Sequence, residues 1–129
     1  MNLYNKMYNS YLPLILGSIF LNVFAQVSIK YGLGNIGYLE INLNNLYPLV
    51  LKVLKNPYIF LGLGCYVLSV VLWIGALSRI NISYAYPMTS LGYVLTAMAG
   101  FLLFQEELPF IRILGIGVIL VGVFLVSRT

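Results

Sequence analysis

The sequence predicts an all-α integral membrane protein. Its expected fold is a four-transmembrane-helix bundle with a short amphipathic interfacial helix between the first and second spans. Three observations carry that prediction. Only 8% of the 129 residues are charged and 61% are hydrophobic, whereas soluble domains average about 25% charged residues. Four stretches approach the roughly 20 apolar residues that a helix needs to cross a bilayer. The last two links between them are short enough to force antiparallel neighbours. The chain is therefore expected to form a single transmembrane domain over 1–129, with helices at about 11–30, 58–77, 82–104 and 110–127.

The first span is charge-free from Tyr11 to Ile29 and closes on Lys30, Tyr31 and Gly32. Lys6 before an apolar run, and Val23-Phe24-Ala25 within it, loosely suggest a cleavable leader. The run is too long for a typical leader core and continues past Ala25, so the span is expected to stay. Gly32-Leu33-Gly34-Asn35-Ile36-Gly37 reads as a flexible connection. After it, Asn45 can cap a helix with Leu46, Leu49, Val50, Val53 and Leu54 on one face, opposite Lys52 and Lys55. That arrangement suits the headgroup layer. Asn56-Pro57 is a favourable start for the second span. Arg79-Ile80-Asn81 links the second span to the third, and Gln105-Glu106-Glu107-Leu108 links the third to the fourth. Pro109 fits the first turn of the fourth, where Arg112 can snorkel to the interface.

Composition excludes several chemistries. There is no His, no Asp and a single cysteine, Cys65. An internal disulfide, a cysteine-based metal site and the common hydrolytic arrangements are therefore not expected, and no cofactor or metal is implied. The net charge of +4 comes from scattered residues, too dispersed for a nucleic-acid surface. Lysine and arginine counts give almost no orientation bias. Lys6, Arg79 and Arg128 fall on one side and Lys30, Lys52, Lys55 and Arg112 on the other. Dual insertion, or pairing with an oppositely oriented partner, is slightly favoured over an orientation fixed by finer detail.

Polar residues inside the spans are the functional candidates, because they are costly in lipid unless they face a partner or a wet cavity. Ser18, Asn22, Gln26 and Lys30 recur every four residues and share one helical face. On the second span Gly62, Tyr66, Ser69, Trp73 and Ala76 share a face, suited to an amphipathic ligand or simply to helix packing. On the third, Tyr86, Ser90, Tyr93 and Ala97 share a face. Pro87 lies near that helix's start, and Gly92 is a place to bend or to pack closely. Gly115, Gly117 and Gly122 form a bare stripe on the fourth span, suited to association between subunits. Glu106 and Glu107 are expected to favour the N-terminus of that span electrostatically, with Glu106 the next suspect for proton coupling. No carboxylate lies within the spans themselves. Lys30 and Arg79, at opposite membrane faces, are candidates for a phosphate headgroup as well as for snorkelling.

Taken in order, Trp73-Ile-Gly-Ala-Leu-Ser78, Ser83-Tyr-Ala-Tyr-Pro87, Phe104-Gln-Glu-Glu-Leu108 and Gly115-Ile-Gly-Val-Ile-Leu-Val-Gly122 resemble the drug/metabolite transporter superfamily. The pattern is similar to one EamA-type half, or to a four-helix relative of the small multidrug resistance proteins. It covers nearly the whole chain except the first ten residues and the long first connection. Small multidrug exporters carry a membrane-embedded Glu eight residues before a Lys, and here that position is Asn22. Ala25-Gln26-Val27-Ser28 instead resembles the Ala-Gln step of subunits that flip aminoarabinose-phosphoundecaprenol.

The resemblance implies a flippase or transporter for a polyprenyl-phosphate-linked sugar, a multi-pass protein of a bacterial inner membrane. Asn22, Gln26, Lys30, Tyr66, Trp73, Arg79, Tyr86, Ser90 and Tyr93 are the expected substrate-binding residues. The expected partners are membrane lipid, the lipid-linked sugar, and a second subunit. That subunit is either an identical one, in an antiparallel pair or otherwise, or a related one. A small-molecule or cation exporter and a non-transporting accessory subunit are the alternatives.

Overall fold

The computed structural model describes residues 3–37 and 39–129, with the side chains of residues 3–5, 7 and 8 left aside. Among the described residues six helices follow one another: α1 (Leu3–Ile36), α2 (Leu46–Lys55), α3 (Pro57–Leu77), α4 (Ile82–Met88), α5 (Ser90–Leu103) and α6 (Phe110–Ser127). A 3-10 turn, Leu43–Asn45, precedes α2. Four spans are long and apolar enough to cross a membrane: Asn9–Ile36, Pro57–Leu77, Ile82–Leu103 and Phe110–Ser127.

The longest element departs from expectation. The glycines after Lys30 do not loosen the chain, and α1 continues to Ile36. Tertiary packing holds this last turn: Asn56 Nδ2 donates to Gly32 O at 3.2 Å, and Tyr31 meets Tyr58 edge-on at 4.7 Å. The helix stops at Gly37, whose φ of +91° suits a residue without Cβ and whose N–H closes onto Leu33 O at 2.9 Å. At α3 the expected cap forms. Asn56 accepts from the N–H groups of Tyr58 and Ile59, and Pro57 occupies the first turn. Asn45 stands at the start of α2 but makes no side-chain cap. On α2 itself, Leu49 and Val53 are half-buried, and the helix packs on α3.

The third span is not one continuous helix. It breaks at Thr89, between α4 and α5. Pro87 lacks an N–H, and the chain tightens into three-residue turns: Thr89 N–H donates to Tyr86 O and Gly92 N–H to Thr89 O. Thr89 Oγ1 also donates to Tyr86 O, at 2.5 Å. The break thus falls one turn before Gly92. That glycine instead packs closely, since a Cβ there would lie 3.4 Å from Ile19 Cγ2.

α1 and α3 make the most extensive contact in the fold. Its seam is built largely of small residues, with Ser18, Ala25, Ser28 and Gly32 on α1 and Gly62, Ser69 and Ala76 on α3, and with Ile59 filling the space over Gly32, all buried. Small residues let the backbones approach, which is how helices associate where lipid removes the hydrophobic drive. Two hydroxyls cross the seam: Ser18 Oγ donates to Ser69 O at 2.9 Å and Ser28 Oγ to Tyr58 O at 2.5 Å. Such bonds average about 0.6 kcal/mol within membranes. Gly62 is the tightest point, because an added Cβ would lie 2.9 Å from the backbone oxygen of Ala25. That oxygen cannot swing away as a side chain can. Gly62→Ala should therefore wedge α1 from α3 and cost about 1–3 kcal/mol, read as a lower melting temperature by circular dichroism in detergent.

The apolar core is gathered at one end of the bundle. Ile15 and Ile19 of α1, Ala76 of α3, Ile80 in the turn after it, Ala85 and Met88 of α4, and Val123 of α6 form it. Helix direction puts all of them toward the membrane face that carries Arg79 and Arg128. The opposite half of the bundle is left to open.

Candidate functional site

A cavity of about 570 Å³ occupies that opposite half, between α1, α3, α4 and α5. This is in the range of small-molecule sites, about 300–1,000 Å³. From α1 come Ser18, Ile19, Asn22, Gln26, Val27 and Lys30, and from α3 come Tyr66, Ser69, Val70 and Trp73. Tyr86, Thr89, Gly92, Tyr93, Thr96, Ala99, Gly100, Phe104 and Glu106 complete the wall. The track from Ser18 to Lys30 is about 18 Å long at 1.5 Å per residue, which covers more than half of a bilayer's hydrocarbon core.

The four-residue repeat on α1 explains one wall: Ser18, Asn22, Gln26 and Lys30 all line the cavity. Ser18 is buried and tied to α3 by its hydroxyl, so it anchors the track. Asn22 is half-buried and makes no side-chain hydrogen bond among the described residues. Its amide offers two donors and an acceptor to whatever enters. Gln26 Nε2 donates to the Tyr66 hydroxyl at 3.3 Å, which couples the track to α3. On the facing wall, Thr89 and Thr96 each donate to the carbonyl three residues back, so their oxygens remain as acceptors. Deeper in, Trp73 and Tyr86 approach edge to face, with ring centroids 6.4 Å apart. Their faces offer apolar surface with polar tips, as a sugar ring requires.

Charge is confined to the mouth. Lys30 Nζ lies 3.8 Å from Glu106 Oε1, with the two side chains 60% and 49% exposed. At that separation and exposure an ion pair contributes about 0–1 kcal/mol, so it is easily exchanged. Glu106 reaches the mouth because the α5–α6 link folds back. Gln105 adopts φ +55°, Glu106 N–H donates to Gly100 O at 3.0 Å, and Gly100 leaves space for the carboxylate. This corrects the expectation for Glu106, which meets Lys30 instead of the start of the fourth span; Glu107 stays ahead of that span, its backbone oxygen accepting from Arg112 Nη1 at 2.9 Å. α6 begins at Phe110 behind Pro109, with no acidic residue in its first turn. Although the spans hold no carboxylate, the cavity wall does.

Of the residues expected to bind substrate, Asn22, Gln26, Lys30, Tyr66, Trp73, Tyr86 and Tyr93 surround this one cavity. Ser90 and Arg79 do not. The turn at Thr89 sets the register of α5 so that Thr89, Tyr93, Thr96 and Gly100 face inward, and Ser90 falls outside the wall. Arg79 sits exposed in the turn between α3 and α4, beyond the apolar core. Thr89, Thr96 and Gly100 were missed, although their spacings of four, three and four with Tyr93 carried the signal. Gly115, Gly117 and Gly122 lie exposed on α6, where an added Cβ would meet nothing within 4 Å. α6 contributes nothing to the cavity wall.

Comparison with known proteins adds a second line of observation. The profile of the EamA-like transporter family matches residues 4–128. A protein named "Probable 4-amino-4-deoxy-L-arabinose-phosphoundecaprenol flippase subunit ArnE", from Pseudomonas savastanoi pv. phaseolicola, is 32% identical over 115 residues. The match covers 89% of this chain and 95% of that one. Two proteins carrying the same name for subunit ArnF are also similar. That of Shewanella sediminis is 36% identical over 89% of this chain and 86% of its own. That of Proteus mirabilis is 33% identical over 95% and 94%. No solved structure matches.

Proposed function

This chain belongs to the EamA-like transporter family, and from that premise we propose that it flips a polyprenyl-phosphate-linked sugar across a bacterial inner membrane. It is a multi-pass integral membrane protein with four spans. One observation carries the reading of the substrate: a neutral hydrogen-bonding track, with the Asn22 amide unpartnered among the described residues, leads from a lysine at the cavity mouth. A sugar needs such donors and acceptors, and its phosphate needs the lysine. The prenyl tail is as apolar as the outer helix faces and stays in lipid, so only the headgroup uses the cavity. No bond is made or broken. The names of the similar proteins, which specify an amino-sugar phosphoundecaprenol and a flippase, support the same substrate class.

The exposed glycines Gly115, Gly117 and Gly122 suit close pairing of α6 with a second subunit. That subunit is an identical chain, with an antiparallel pair included, or a related one, in keeping with the word subunit in the relatives' names. α2, with Lys52 and Lys55 on its polar face, lies in the headgroup layer under this reading.

Proteoliposomes test the activity. Purified chain should expose a labelled prenyl-phosphate sugar to an external modifying enzyme at a rate well above that of empty vesicles. Equal rates would refute it. Glu106 in the cavity wall favours a second reading, a proton-coupled exporter of small cations. Transport of such cations that collapses without a proton gradient, with no lipid flipping, would select that reading.

A further inference from the structure

The mouth of the cavity holds two opposite charges, and transport of a sugar phosphate accounts for only one of them. Lys30 suits the phosphate. Glu106 opposes it, because a carboxylate within 4 Å of the lysine repels any anion that the lysine attracts. The fold nevertheless brings this carboxylate in. Gln105 takes a left-handed backbone, φ +55°, that non-glycine residues seldom adopt. Gly100 is bare where a Cβ would stand 2.5 Å from Glu106 Oε2. Glu107, the adjacent acid, stays outside the cavity wall.

We propose that Lys30 and Glu106 form a subsite for a zwitterionic headgroup, in which Lys30 takes the phosphate and Glu106 a cationic amine on the sugar. This deepens the flippase reading and rests on it. A headgroup with both charges replaces one weak ion pair by two, and leaves neither side chain facing a like charge. A headgroup with phosphate alone takes Lys30 but strands Glu106 beside it. The carboxylate therefore selects by repelling the wrong substrate as much as by holding the right one. On a pyranosyl phosphate, an amine at C4 lies across the ring from the anomeric phosphate. One sugar can thus span two side chains that approach from α1 and from the α5–α6 link.

Calorimetric titration of the purified full chain in detergent tests this, using a short-chain prenyl-phosphate 4-amino sugar and its counterpart with a hydroxyl in place of the amine. The wild-type chain should bind the amine at least about tenfold more tightly, as expected where a like-charge contact penalises the competitor. Glu106→Gln should erase the difference, weakening the amine and strengthening the hydroxyl form. Gly100→Ala should do the same by displacing the carboxylate while keeping its charge. Glu107→Gln, which makes the same change in net charge outside the cavity, should leave the preference intact. Equal binding of the two lipids by the wild-type chain, or a preference that survives Glu106→Gln, would overturn the subsite and leave the flippase reading standing. Binding of neither lipid would overturn both.

Discussion

Replacing Asn22 and Gln26 together by leucine is expected to reduce transport of a prenyl-phosphate sugar on the order of a hundredfold or more, with the bundle still folded. Each amide lost leaves a polar group of the headgroup unpaired in a low-dielectric cavity, which costs about 1–3 kcal/mol. Two such losses reach a hundredfold, since every 1.4 kcal/mol is a factor of ten. Stability should hardly suffer. Asn22 has no side-chain partner to lose among the described residues, and Gln26 loses one bond at 3.3 Å to Tyr66. Leucine is also the better residue for a helix in lipid. Flipping in proteoliposomes and melting in detergent, measured on the same preparation, separate the two effects. Full transport by the double variant would remove the track from the mechanism.

Neutralising Lys30 should be the next most damaging change. A charge-assisted hydrogen bond to phosphate contributes about 1.5–3 kcal/mol, so Lys30→Gln should slow flipping by roughly ten- to a hundredfold. The loss at Glu106 is small, because the resting pair is half-exposed and weak. Arg79→Gln provides the contrast. Sequence placed Arg79 and Lys30 alike, as cations at opposite membrane faces, but Arg79 lies beyond the packed core and outside the cavity. Its replacement should leave the rate within about twofold, as expected for an exposed charge with no contact to cargo. Equal losses in the two variants would mean that the headgroup leaves through the core end as well.

The parts of this fold legible in sequence were those governed by local pattern. Long charge-free runs mark the spans, Asn56-Pro57 marks the start of α3, and a four-residue repeat marks the cavity wall on α1. What was hidden depended on neighbours. The glycines at 32 and 34 promise a loop, yet Asn56 and Tyr58 pack against the end of α1 and keep it helical. Ser90 and Thr89 are equally plausible inward residues until the turn after Pro87 sets the register of α5. The face Gly62, Tyr66, Ser69, Trp73 and Ala76 reads as either packing or binding, and it divides. Gly62 and Ala76 pack in the buried seam, Tyr66 and Trp73 line the cavity, and Ser69 does both. Glu106 was the least accessible. Its reach into the cavity depends on one left-handed residue and on a missing Cβ on the preceding helix, neither of which periodicity reports.

The most direct test of the headgroup path is photochemical. A prenyl-phosphate amino sugar carrying a small photoreactive group on the ring should be activated on the wild-type chain in membranes, and its adducts mapped by mass spectrometry. Adducts should concentrate on the cavity wall between Lys30 and Trp73, at Asn22, Gln26, Tyr66 and Tyr93, and should fall when unlabelled lipid is added in excess. Adducts confined to the outer face of α6 or to α2, with the cavity wall unlabelled, would contradict a headgroup path through the cavity.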